Sequence, residues 1–267
     1  MGLSLDLITL GAADPVAVRR FYTQTFSLPS TGSQPAEPVD LHGTGRLAVA
    51  PVDSLATDLG VPASTTGFRG YVLSTIVDQP RDVETLLEVA RANEATTVKP
   101  AKKQLFGEFT AVYRAPDGAL WKIAAAGKKN GSAAASPVRP VESALYLGVA
   151  SPKASRSFYE SLGMLTDRDY GEKFIDFTVG VGASRLGLLP RKALAKDAGV
   201  ADDGDGFRAI ELTHLAASDH DLETTLAAAR NSGAQVTQET SADSSGAIVA
   251  RFADPDGYRW RLVAPPN

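Results

Sequence analysis

Short apolar-rich runs at Leu5–Leu10 and Ala144–Val149 predict two strands. A helix opens after each, at Asp14-Pro15 and at Ser151-Pro152, where Asp or Ser suits the N-cap and proline the first helical position. Val18, Phe21 and Tyr22 then recur on one helical face, as do Phe158, Tyr159 and Leu162. A hairpin-like pair follows, clearest in FIDFTVGVGASRLGLL (Phe174–Leu189). Next comes a strand headed by GFR, then a second helix, then two strands around a PDG turn. Along FRAIELTHL (Phe207–Leu215), alternation puts Ile210, Leu212 and His214 on one face and Glu211 and Thr213 on the other.

This order of elements occurs twice. DPVAVRRFY (Asp14–Tyr22) matches SPKASRSFY (Ser151–Tyr159) at an offset of 137. GFRGYVLSTIV matches GFRAIELTHLA, DVETLLEVAR matches DLETTLAAAR, and PDGALW matches PDGYRW, each at an offset of 139. Four blocks in one order mark a tandem duplication. GKKNGSAAASPVRP between them reads as a linker. The expected division is a first module over 1–126, a linker over 127–140 and a second module over 141–267. RKALAKDAGV (Arg191–Val200) stands out as an amphipathic insertion without a counterpart in the first half, either a lid over the second cleft or a surface helix.

Composition narrows the class. The chain has 267 residues, enough for two modest domains, with 43% hydrophobic and 22% charged residues, as in ordinary globular proteins. A net charge of -4 carries no footprint for nucleic acid. No apolar run approaches the roughly 20 residues of a membrane span, and the N-terminus lacks the basic segment of a signal peptide. The absence of cysteine removes disulfides, thiolate metal sites and cysteine nucleophiles, and fits a cytoplasmic protein. GVGAS (180–184) lacks the spacing of either a phosphate loop or a dinucleotide fingerprint and reads as a hairpin turn.

The FY helix after the first strand and the PDG turn near the end of each half resemble the vicinal oxygen chelate superfamily, which includes glyoxalases, extradiol dioxygenases and bleomycin-resistance proteins. The resemblance implies an α+β fold. It is a tandem duplication of glyoxalase-like modules built from βαβββ units, with curled mixed sheets around concave clefts. It also implies a divalent metal in active members, held by His on the first strand, His on the strand before the second helix, and Glu after the last turn. Those positions fall on Leu7 and Ala144, on Val72 and Glu211, and on Lys122 and Arg261. Glu211 alone could bind a metal, and a lysine and an arginine would repel one. No metal ligand and no cofactor is therefore expected. His42 and His220 read as solvated, and His214 points away from the cleft.

Alternation places Tyr146, Glu211, Thr213, Arg259, Arg261 and Arg251 on the concave side of the second half, and Thr9, Val72, Ser74, Leu120 and Lys122 on that of the first. Trp121 and Trp260 face the helices as core. Glu211 reads as an acid buried in an ion pair with Arg261, or as a general base. Tyr146 reads as a pocket wall or a proton donor. Three functions compete: a metal-free small-molecule-binding protein of the bleomycin-resistance type, a metal-dependent lyase, isomerase or dioxygenase, and a metal-free enzyme using Glu211 and Tyr146. The first is preferred, with the arginines Arg261, Arg259 and Arg251, and Thr213, Lys122 and Thr9, as ligand contacts. The expected partner is a small molecule, with neither nucleic acid nor membrane, and a homodimer is compatible with the chain.

Overall fold

Asp14 and Ser151 start their helices as their side chains dictate, accepting bonds from the amides of Ala17 and Ala154. The computed structural model describes residues 2–29, 37–104, 107–131 and 136–266. The first half runs β1 (Leu7–Ala12), α1 (Pro15–Thr25), β2 (Val39–Asp40), β3 (Arg46–Pro51), α2 (Val52–Asp58), β4 (Thr65–Thr66), β5 (Tyr71–Val77), α3 (Pro80–Ala92), β6 (Thr96–Lys103), β7 (Phe109–Arg114) and β8 (Leu120–Ala125). The second half runs β9 (Glu142–Val149), α4 (Pro152–Ser161), β10 (Thr166–Asp169), β11 (Ile175–Phe177), β12 (Arg185–Pro190), α5 (Arg191–Ala198), β13 (Asp205–Gly206), β14 (Ile210–Leu215), α6 (Asp219–Asn231), β15 (Gln235–Ala242), β16 (Ile248–Ala253) and β17 (Arg259–Ala264).

The sheets do not follow the duplication. A 7-stranded sheet has the order β15-β16-β17-β14-β1-β3-β2, and an 8-stranded sheet the order β10-β11-β12-β9-β5-β8-β7-β6. Each joins one unit of the first half to one of the second, through antiparallel pairing of leading strands: β1 with β14, and β5 with β9. A ribbon of β4 and β13 links the two halves again.

The apolar stripes of the longer strands meet α1, α3, α4 and α6 in one large buried core. Ile8, Leu10, Ile210, Leu212, Leu145, Leu147, Trp121 and Trp260 all belong to it. Tyr22 of α1 packs on Trp121 of the other sheet at 5.6 Å between ring centroids, so the core ties the sheets together. Burying side chains of this size stabilises by about 1.5–3 kcal/mol each.

The twice-written PDG turn is part of this lock. Trp260 Nε1 donates to Tyr159 Oη at 3.3 Å, and Tyr159 Oη donates to Asp254 Oδ2 at 2.5 Å. In the first half Trp121 Nε1 donates to Tyr22 Oη at 3.2 Å, and Tyr22 Oη reaches both carboxylate oxygens of Asp117 at 3.1 Å. The GFR arginines close the same turns: Arg69 and Arg208 donate to the carbonyls of Asp117 and Asp256 at 2.7 and 2.8 Å. The turn glycines, Gly118 and Gly257, have φ of 86° and 83°, where a side chain would be strained. The FY helix and the PDG turn are thus one structural clasp.

The segment Arg191–Val200 is not an insertion. PRKALAKDAGV (190–200) aligns with PVDSLATDLGV (51–61) at an offset of 139, and the two form α5 and α2. Both lie over concave sheet faces. Leu194, Ala195 and Ala198 pack on Val72, Val112 and Leu120, while Leu55, Ala56 and Leu59 pack with Phe207 and Ala209. Gly11 leaves room for α2: a Cβ there would sit 3.2 Å from Val52.

Candidate functional site

Period-two alternation aims Thr9 of β1, Glu211 and Thr213 of β14, Arg251 of β16, and Arg259 and Arg261 of β17 at the concave face of the 7-stranded sheet, because their neighbours Ile8, Leu212, Phe252, Trp260 and Leu262 are core. Register sets Thr9 opposite Glu211 and Thr213 beside Arg261. Glu211 is 4% exposed and accepts from Arg251 Nε at 2.9 Å. Arg251 also reaches Gln238 of β15, and Arg261 pairs with Asp243 at 3.2 Å. Glu211 therefore pairs with Arg251 and not with Arg261 as the sequence suggested. Arg259 has no hydrogen-bond or ion-pair partner among the described residues.

Beside Arg259, where β17 begins, the ribbon and the turn enclose a cavity of about 300 Å³. Val61, Pro62, Phe207 and Tyr258 supply its apolar wall, Arg208 and Arg259 its charge, and no carboxylate among the described residues lines it. Arg208 lies over the Tyr258 ring at 3.8 Å, a cation–π contact that fixes the guanidinium. Neither Val61, Pro62, Phe207 nor Arg208 was singled out from the sequence. The alignment of α2 with α5, which ends on Val61, would have drawn attention to that residue.

Tyr146 and Lys122 lie elsewhere, on the concave face of the 8-stranded sheet with Ser74 and Val72. Burial pushes the Tyr146 phenol up to about 12, with Glu142 adding to the effect, so it stays protonated where it lines the cavity of that face. Lys122 Nζ is held by Asp197 of α5 at 2.9 Å. Since Glu211 and Tyr146 lie on different sheets, they do not form the acid–base pair considered from the sequence. Likewise the cleft read as the second module's own is shared: Thr9 and Val61 come from the first half.

The structure gathers the six metal-ligand positions into two triples, each on adjacent strands: Leu7, Glu211 and Arg261 on β1, β14 and β17, and Val72, Lys122 and Ala144 on β5, β8 and β9. Neither donor set suits a divalent ion. One holds a single carboxylate already bound by arginine, and the other holds no acid. No group of three or more His, Asp or Glu among the described residues could hold a metal. His214 faces the helix side, 2% exposed, with Nδ1 3.2 Å from Asp6 Oδ2, as alternation requires. His42 Nε2 lies 2.7 Å from the carbonyl of Phe26, in a turn. No helix among the described residues is long and apolar enough to cross a membrane.

Two curled sheets, each topped by a short helix over its concave face, define an α+β protein of paired clefts. Residues 142–262 match the Glyoxalase/Bleomycin resistance protein/Dioxygenase superfamily. The superfamily match thus covers the second module, and the chain as a whole has a two-module, glyoxalase-like fold. It resembles a putative dioxygenase from Bacillus subtilis subsp. subtilis str. 168, with a TM-score of 0.64 and 14% identity over 100% of this chain and 86% of that one. It also resembles glyoxalase I from Zea mays, with a TM-score of 0.63 and 17% identity over 99% of this chain and 92% of that one. At such identities the likeness is one of fold alone. No protein of curated function matches the chain in sequence.

Proposed function

We propose that the protein binds a small apolar molecule bearing an anionic or electron-rich oxygen, without a metal, in the cleft of the 7-stranded sheet. The observation that carries this reading is Arg259. Among the described residues it is an arginine without a partner, on the wall of an apolar cavity that contains Arg208 and no acid. An uncompensated guanidinium beside apolar walls suits a carboxylate, phenolate or phosphate, which it holds through paired N–H donors. Arg251 and Arg261 extend the basic strip, while Glu211 and Asp243 each neutralise one of them. Thr9 and Thr213 add hydroxyls beside it. The pocket thus has the make-up of a binding site, mostly apolar with few polar anchors.

Calorimetric titration with matched carboxylates, phenols and neutral amides tests the reading. The anionic members should bind more tightly, and a preference for neutral or cationic ones would overturn it. The metal-free part has its own test. Elemental analysis of the purified protein should find no stoichiometric iron, manganese, zinc or nickel, whereas about one equivalent surviving mild chelation would refute it.

A further inference from the structure

The concave face of the 8-stranded sheet carries a larger cavity, of about 580 Å³, and its electrostatics run the other way. Its floor is apolar, from Ile76, Ala124 and the ring of Tyr146. Around it, the lining residues and their direct ion-pair partners comprise three cations (Lys122, Arg168, Arg185) and five carboxylates (Glu108, Glu142, Asp167, Asp176, Asp197).

Placement matters more than the count. Arg185 is 11% exposed, and its guanidinium is used up by Glu142 at 2.9 Å, Asp167 at 2.7 Å and Asp176 at 3.7 Å. Lys122 is 15% exposed and lies between Asp197 at 2.9 Å and Glu108 at 3.8 Å. Arg168 is the more open cation, and it is committed to the fully buried carboxylate of Asp176. The acids at the mouth are more open than the two cations beneath them: Glu108 is 65% exposed, Asp167 43% and Glu142 28%. A carboxylate offers about four acceptor positions and each of these keeps some free, whereas the enclosed cations have little left to offer. A molecule entering therefore meets more carboxylate than cation at the rim: Glu108, Asp167, Asp197 and Glu142 are all partly exposed against Arg168, itself 47% exposed and paired with Asp176, before an apolar floor with an aromatic ring.

We propose that this second cleft binds an organic cation with an apolar body, an ammonium or a delocalised heteroaromatic cation, so that the two clefts of one chain select ligands of opposite charge. Carboxylates at the mouth attract and orient the cation, and Tyr146 adds a ring against which it can lie. The duplicated sheets supply two copies of one frame, and the side chains on their concave faces have diverged in sign.

Two xanthene dyes of similar shape and opposite charge serve as probes: rhodamine 123, a cation, and fluorescein, an anion. Fluorescence anisotropy follows each on the wild-type chain, on the double variant Glu108→Gln/Asp167→Asn, and on Arg259→Ala. Both substituted acids are exposed enough for the fold to tolerate their neutralisation, which melting curves verify. The proposal expects saturable binding of rhodamine 123, weakened about ten-fold in the double variant and by added salt, and unaffected by Arg259→Ala. Fluorescein should not displace it. No saturable binding of rhodamine 123, equal binding in the double variant, or displacement by fluorescein at similar concentration would each overturn the proposal. None of these results bears on the arginine-lined cavity, which Arg259→Ala reads separately.

Discussion

Asp254 is a carboxylate caught between opposing forces, and replacing it by asparagine measures which one wins. Burial raises its pKa, and the neighbouring Asp256 adds to that, while bonds from Tyr159 and the amide of Tyr258, and the charge of Arg208, lower it. Burial wins: the value rises from 3.8 to about 6. The folded protein therefore binds this proton more tightly than the unfolded chain does. Stability contributed by the protonated form is present at about pH 4 and is lost as pH rises through about 6. The gap of about two units corresponds to about 3 kcal/mol, with little screening at a side chain so enclosed. The Asp254→Asn variant would copy the neutral form and lack the slope. Urea denaturation of wild type and variant at pH 4, 5, 6 and 7 gives the difference, from which the other titrating groups cancel. Relative to the variant, the wild type should lose about 2.5 kcal/mol between pH 4 and pH 7, the remainder of the gap falling below pH 4. A difference independent of pH, or a wild type that gains with pH, would refute the reasoning and show that the hydrogen bonds outweigh burial.

Other consequences follow from the clasp and from the shared sheets. Tyr159→Phe removes the donor to Asp254 and leaves Trp260 Nε1 unpaired, and should cost about 1.5–3 kcal/mol in denaturant melts; Tyr22→Phe, with longer bonds at 3.1 Å, should cost less. Residues 1–130 expressed alone expose the strand edges that β9 and β14 cover, and should yield a dimer or an insoluble product; a stable monomer with a sharp transition would contradict the shared sheets.

The duplication, the element order and the helix caps were readable because they are local: a proline after Asp14 or Ser151 acts within one turn. The faces of single strands were readable too. Ile210 and Leu212 point to the core, and so fix His214 on the same side and Glu211 on the other. The pairing of strands was not. Glu211 alternates in the same way whether its sheet continues to β9 or to β1, so the sequence could not separate Tyr146 from it, nor bring Thr9 beside it. Ion-pair partners were lost for a related reason. The side chain of Arg251 crosses β17 to reach Glu211, and only the register of three strands reveals that reach. The first-half counterpart of Arg191–Val200 was overlooked although Pro51, Leu55, Ala56, Asp58, Gly60 and Val61 all recur 139 residues later, because its polar positions differ and the first-half segment shows no amphipathic pattern as plain as that of RKALAKDAGV.

The measurement closest to the central proposal compares one carboxylate with its neutral amide on the wild type and on Arg259→Ala, by calorimetry. A hydrogen-bonded charge is worth about 1.5–3 kcal/mol, so Arg259→Ala should weaken the carboxylate by about ten-fold or more and leave the amide nearly unchanged. Equal weakening of both, or tighter binding of the carboxylate to the variant, would contradict the account.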